Sequence, residues 1–440
     1  MENYFLSIYF CLQHMTEAHS IFDFKGLFQW FKQVDFSLKL MGVGMLLLLP
    51  LLKWMPLFVV FIFLSWVGER LIKKQKLSVS KFNPTQYGMI LLFVFYLLGM
   101  IWTENVTTGW KNVEYKLSFL LLPIFFIFFN HKINNRRWLQ IFIFGLVINC
   151  LLLLFFAAFR SLNSDAADDV SKFWKESDFS FYMHRSYLSA YMSIGALMMI
   201  GLFLKTKEIT LLILFFLFTL IIVLSASKAG LIVLFSGSFG LILRFVIGHF
   251  SSNRVRWFSF FFVLALSSTV LLSDIVRVRF KSAWNALFTA EVMNNKSKDS
   301  TEARVMMWSA SWELIQSNFW TGLGTGDVDD ELQRVNMARN NRGVVEQKLN
   351  SHNAFLTMFL QLGIFGFLFF CFGLLYLFRY FWKRKSVFGV IVLFVFVINF
   401  FFESFLETRA GVFPFCWLVL SILSFEVCGP KNHKHEDSMV

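Results

Sequence analysis

Charge is scarce in this sequence. Lysine, arginine, aspartate and glutamate make up 16% of 440 residues against 57% hydrophobic residues, 60 of them phenylalanine, with 6 prolines and a positive mean hydropathy. A soluble domain carries about a quarter charged residues, so this composition excludes an ordinary soluble fold and describes a polytopic membrane protein. Cysteine is also sparse. Cys11, Cys150, Cys371, Cys416 and Cys428 fall inside apolar runs or beside basic segments, which argues against a disulfide framework. Cysteine and histidine nowhere cluster with metal-ligand spacing, so no metal and no cofactor are expected. The opening stretch MENYFLSIYF lacks the basic start and small-residue cleavage site of a signal peptide; it is expected to stay in the mature chain.

What is abundant is apolar sequence in runs about long enough to cross a hydrocarbon core. About twelve such runs occur, at 38–52, 54–68, 86–102, 117–130, 138–159, 187–204, 209–224, 229–248, 257–273, 353–378, 387–402 and 411–427. The first two, broken by Pro50, Lys53 and Pro56, read as a tight hairpin. The expected fold is an all-α integral membrane protein of about 12 transmembrane helices, with one large helical periplasmic loop between spans 9 and 10. Its parts are an interfacial or cytoplasmic segment at 1–37, spans 1–9 within 38–273, the loop at 274–352, spans 10–12 within 353–427 and a tail at 428–440.

Orientation follows from the basic residues, because lysine and arginine close to span ends resist translocation. The loops 69–85, 131–137, 205–208, 250–256 and 379–386 are basic with almost no acid, which puts them and both termini in the cytoplasm. This topology accounts for most of the formal charge of +13 with no nucleic acid as partner. The segments 160–185 and 274–352 then face the periplasm or exterior, and a loop as long as the second is usually functional.

Within that loop Val305, Trp308, Trp312, Ile315 and Phe319 recur at spacings of three and four, the stripe of an amphipathic helix, with Asp299, Ser300 or Thr301 as its cap. TGLGTGD reads as a glycine-rich turn, since it lacks the following lysine and the strand of a phosphate loop. DVDDELQRVNMARN reads as a second helix, its acids in the first turn and Arg339 near its end. The Asp327-x-Asp329 pair is therefore a helix start rather than the metal site of a nucleotide-sugar enzyme. Both helices are expected over the outer ends of the spans.

Polar residues gather at the outer span ends: His184, Arg185, Lys228, Arg304, His352, Asn353, Glu403, Glu407 and Arg409. Singly, each cation could be a snorkelling anchor. Together they suit a phosphorylated lipid. Glu403 and Glu407, spaced as one helical turn, could supply a base, bind acceptor sugars, cap a loop or pair with Arg409; they rank behind His352 because a carboxylate needs burial to raise its pKa before it acts well as a base.

The tracts LSASKAG, Glu-Ala-Arg-x-x-x-Trp with GLGTGD after it, and SHNAFLTMFLQLGIFG follow one another in an order that resembles the O-antigen ligase family, most specifically over 224–366. The resemblance implies a bacterial inner-membrane glycosyltransferase with its active site facing the periplasm. Such an enzyme takes a glycan from a polyisoprenyl (undecaprenyl) diphosphate donor and passes it to a lipid A-core acceptor or to another carrier-linked glycan. It implies the essential histidine at His352 and a diphosphate-contacting arginine at Arg304. Lys228 stands where the family commonly has arginine, keeping the charge but losing the bidentate fork, and Arg185 is a looser match.

A neutral imidazole can take the acceptor proton, and Arg304, Lys228 and Arg185 can stabilise the departing diphosphate without a metal. Transfer by single displacement would invert the anomeric centre. Asn353 is expected to orient the histidine or the sugar. A polysaccharide polymerase, differing only in acceptor, remains open. A transporter of the same lipid ranks third, since internal repeats and mid-membrane ionisable residues are lacking apart from scattered polar positions such as Asn149, Asn399 and Arg244.

Overall fold

The computed structural model describes residues 24–46, 54–74, 83–129, 135–164, 172–248 and 300–427. The expected span at 257–273, the cap Asp299, the stretch MENYFLSIYF, Cys11, Cys428 and the tail at 428–440 lie outside the described residues, as do parts of the basic loops. Among the described residues the regular structure is helical, with no strand. The helices are α1 (Phe24–Gln33), α2 (Phe36–Leu46), α3 (Met55–Ile72), α4 (Pro84–Leu98), α5 (Val106–Lys116), α6 (Ser118–Phe129), α7 (Asn135–Leu162), α8 (Glu176–Phe179), α9 (Arg185–Thr206), α10 (Ile209–Ser225), α11 (Lys228–Gly248), α12 (Ser300–Ser317), α13 (Val328–Ala338), α14 (Arg342–Glu346), α15 (Ala354–Lys383), α16 (Val387–Phe402) and α17 (Arg409–Val427).

Among the described residues four stretches are long and apolar enough to cross a membrane, Arg137–Leu162, Arg185–Thr206, Lys228–Phe245 and Ala354–Lys383, and shorter apolar helices lie at Pro84–Leu98, Ile209–Ser225, Val387–Phe402 and Arg409–Ser424. The chain is a helical membrane protein. Its centre is α9, nearly all of whose side chains are buried against α10, α11 and α16. A helix apolar on all sides belongs in such a position.

The two helices of the hairpin expected near the start, α2 and α3, pack on each other, and the turn at 47–53 lies outside the described residues. However, α3 runs on past Gly68 to Ile72, because Glu69 is not a loop residue. Its carboxylate accepts from the backbone N–H groups of Phe36 at 2.6 Å and Ser37 at 3.3 Å and from the Ser37 hydroxyl at 2.5 Å, capping the start of α2. Between the spans expected at 86–102 and 117–130 the chain folds into a further helix, α5.

The span expected at 353–378 is broken. Gly363 has φ 63 and ψ −166 inside α15. The backbone groups freed there are taken up by the TGLGTGD turn and the residues just before it: Leu323 donates to the Leu360 carbonyl at 2.7 Å, and Ile364 donates to the Phe319 carbonyl at 3.0 Å. Both glycines are required sterically. A Cβ on Gly322 would lie 2.6 Å from the Gly363 nitrogen, and one on Gly363 would lie 2.2 Å from the Trp320 carbonyl oxygen. The glycine-rich turn thus packs backbone against backbone.

α12 and α13 pack on the part of α15 before this break, around Phe359 and Leu360. Of the expected α12 stripe Ile315 alone is buried. The buried face is Ala303, Met306, Met307, Ala310, Leu314 and Ile315, whereas Trp312 is 58% exposed and Val305 and Trp308 are half-buried. Trp312 takes the side away from this face, while Trp308 lies at its edge and reaches the Ser351 carbonyl through Nε1.

Candidate functional site

Segments far apart in sequence converge on one carboxylate. Glu403, 4% exposed, ends α16 in extended conformation (φ −147, ψ 146). Its Oε1 accepts from Arg304 Nη2 at 2.9 Å and from the Ser186 hydroxyl at 2.9 Å, and its Oε2 faces His352 Nδ1 at 3.0 Å. Arg304 also donates from Nε to the Phe402 carbonyl at 3.2 Å. Thus α12, α9, the approach to α15 and the end of α16 meet at Glu403.

His352 is held by its backbone as much as by its ring. Its φ is 46, the left-handed region that a side chain seldom adopts, and its N–H donates to Asn350 Oδ1 at 3.0 Å. Beneath it the hydroxyls of Ser351, Thr357 and Ser404 form a buried triangle with sides of 2.5, 3.1 and 3.0 Å, and Trp308 Nε1 donates to the Ser351 carbonyl at 2.9 Å. Since an ionised carboxylate only accepts, the hydrogen-bond network assigns the proton to His352 Nδ1, which leaves the lone pair of the neutral ring on Nε2.

Burial alone would push the Glu403 carboxyl up. The hydrogen bond from His352, with the positive charges of His352, Arg304 and His184, outweighs it and holds the pKa at about 2. A carboxylate held that low is a weak base, and both its oxygens are engaged by Arg304, Ser186 and His352, so Glu403 ranks behind His352 as the proton acceptor.

The pairing of Glu403 with Glu407 as one helical turn also fails. Phe405–Glu407 is a 3-10 turn following extended backbone, so the two carboxylates reach different partners. Glu407 accepts from Lys116 Nζ at 2.8 Å and from Gln361 Nε2 at 2.9 Å. Arg409 pairs with Glu114 at 2.6 Å and lies over the Tyr115 ring, not on Glu403. Lys116, fully buried and 4.8 Å from the Tyr96 ring centroid, had no signal in the sequence beyond that of an anchor at a span end.

Asn353 is the N-cap of α15. Its Oδ1 accepts from the N–H groups of Phe355 at 2.9 Å and Leu356 at 3.1 Å, capping α15. Asp327 does stand at the start of α13, yet its carboxylate accepts from the N–H groups of Glu104 at 3.0 Å and Asn105 at 2.7 Å, fastening the start of α5. Arg339 does sit at the end of α13, donating to the Ser309 hydroxyl at 2.9 Å.

Arg185, half-buried, opens α9 and pairs with Glu176 at 3.3 Å. Lys228, half-buried, opens α11 after the turn at Ala226 (φ 49). Two residues on, Gly230 lies against Ser189, so α9 and α11 begin side by side. Ser186 is the site residue that sequence reading passed over; its one signal is a hydroxyl directly after the His-Arg pair. Among the described residues no three histidine, cysteine, aspartate or glutamate side chains are grouped as metal ligands.

Residues 213–371 match the model of a family described as O-antigen ligase. The matched segment runs from α10 into α15 and includes Lys228, Arg304, His352 and Asn353; Arg185, Ser186 and Glu403 lie beyond it. No protein of curated description matches the chain.

Proposed function

From the match of residues 213–371 to the O-antigen ligase family, we propose that the chain transfers a glycan from a polyisoprenyl (undecaprenyl) diphosphate to a hydroxyl of a lipid A-core acceptor. The observation that carries this reading is the His352–Glu403–Arg304 arrangement, which joins a base to its positioning anion and to a phosphate-binding cation.

In the reaction, His352 Nε2 accepts the proton of the acceptor hydroxyl, whose oxygen attacks the anomeric carbon. The bond from that carbon to the diphosphate oxygen breaks, its electron pair stays on the departing lipid diphosphate, and the configuration inverts. Glu403 keeps the imidazole in the required tautomer and stabilises the imidazolium that forms, the part a buried carboxylate plays beside a catalytic histidine elsewhere. Arg304, Arg185 and Lys228 offset the charge developing on the leaving group, and this cationic set makes the transfer metal-independent. The site lies on the periplasmic face of a bacterial inner membrane, with about twelve spans and both termini in the cytoplasm.

The test uses purified protein, carrier-linked glycan and lipid A-core, with and without EDTA, comparing the parent with His352→Ala. Glycan on the core that survives EDTA and disappears in the variant supports the proposal. A rate lost in EDTA and restored by magnesium overturns metal independence. Longer carrier-linked chains on a bare core identify a polymerase, which uses the same donor.

A further inference from the structure

His184 is the N-cap of α9, with φ −59 and ψ 134. Its Nδ1 accepts from the Ser186 N–H at 3.4 Å. An accepting Nδ1 bears no proton, so the neutral ring carries its hydrogen on Nε2 and can only donate there. His352 has the opposite tautomer, because its Nδ1 donates to Glu403. One site therefore holds two imidazoles fixed in complementary roles.

The ring is also well placed. Ser186, two residues on, is bonded to Glu403, and Arg185 lies between them. His184 is exposed where Ser186 and Glu403 are buried, which puts it on the open rim of the cluster. Loss of solvent on its packed side lowers its pKa below 6.5; Glu403 acts in the other direction, and the positive charges of Arg185, His352 and Arg304 add to the lowering. The ring is thus mainly neutral at pH 7, and it keeps both its cap and its Nε2 hydrogen.

We infer that His184 is a further donor-binding residue, whose Nε2–H donates a hydrogen bond to a diphosphate oxygen of the lipid carrier beside the arginines. This deepens the transferase reading and rests on its donor class. A neutral donor there orients the diphosphate without adding a fourth charge to a crowded set of cations.

Two substitutions separate binding from capping. His184→Asn places an oxygen where Nδ1 was and keeps the cap, but has no atom at Nε2. His184→Gln places an amide N–H near Nε2 and gives up a good capping residue. Binding of undecaprenyl diphosphate to each full-length variant in detergent micelles is measured together with the melting temperature. The expected result is that Asn melts like the parent but binds about tenfold more weakly, the loss of one hydrogen bond to a charged group, while Gln binds within a few-fold of the parent even if it melts lower. In the transfer assay Asn lowers kcat/KM for the donor by about the same factor, and Gln restores most of it.

Asn binding like the parent, or Asn and Gln weakening alike, overturns the inference and leaves the transferase reading standing. If the parent binds the lipid but transfers no glycan, the transferase reading fails while the order of the two variants still decides the role of His184. A parent that does not bind the lipid overturns both.

Discussion

His352 and Glu403, 51 positions apart, meet at 3.0 Å through Nδ1 and Oε2, and the same carboxylate holds Arg304 at 2.9 Å. A single anion therefore sets the tautomer of the base and the position of the cation. Removing the anion disturbs both.

Glu403→Gln is expected to lower kcat by about 100-fold or more, within the range general-base catalysis supplies. The amide can present N–H to Nδ1 and so place the imidazole hydrogen on Nε2. The loss in the double variant with His352→Ala should be far from additive, because the two residues act as a unit. Steady-state transfer rates for the four proteins check this, and additive losses would separate the two roles.

The low pKa of Glu403 also has a stability consequence. Its folded-state value, about 2, lies below the ordinary 4.5, so ionised Glu403 contributes stability that is fully present above pH 4.5 and fades as pH falls toward 2. Melting temperature in micelles should drop across this window, and Glu403→Gln should lack that part of the slope. Identical slopes would show that the carboxylate is not the group responsible.

Arg304 uses two edges of its fork, Nε on Phe402 and Nη2 on Glu403. A lysine has one point of charge and cannot do both. Arg304→Lys should therefore lose about tenfold or more in kcat/KM, whereas Lys228→Arg should keep activity within a few-fold because charge at the start of α11 is retained. The comparison is made at matched melting temperature. Full activity in Arg304→Lys would reduce Arg304 to a simple counter-charge.

Gly363→Ala should lower the melting temperature sharply. It places a side chain at φ 63, ψ −166, a region adopted essentially by glycine alone and costing about 1–3 kcal/mol, and puts its Cβ 2.2 Å from the Trp320 carbonyl. Gly373→Ala in the same helix is the control, since a Cβ there meets nothing within 4 Å and alanine is the better helix former. Equal melting temperatures would mean that the break at Gly363 is dispensable.

The sequence by itself determined that this is a helical membrane chain, because scarce charge and repeated apolar runs allow little else in hydrocarbon. It also singled out Arg304 and His352 as a candidate cation and a candidate base. It could not rotate α12 correctly: an apolar stripe predicts the buried face only when the other face meets water, and here Trp312 faces outward while Ala303 and Ala310 are buried. Nor could spacing assign the acids, since Glu403 and Glu407 sit four apart across extended backbone and a 3-10 turn.

What only the tertiary structure decided is which polar groups meet. Glu403 joins His352, Arg304 and Ser186, Glu407 joins Lys116, Asp327 holds α5, and Asn353 caps its own helix. A buried polar group must find a partner wherever the fold supplies one, and that partner is fixed by distance in space rather than by position along the chain.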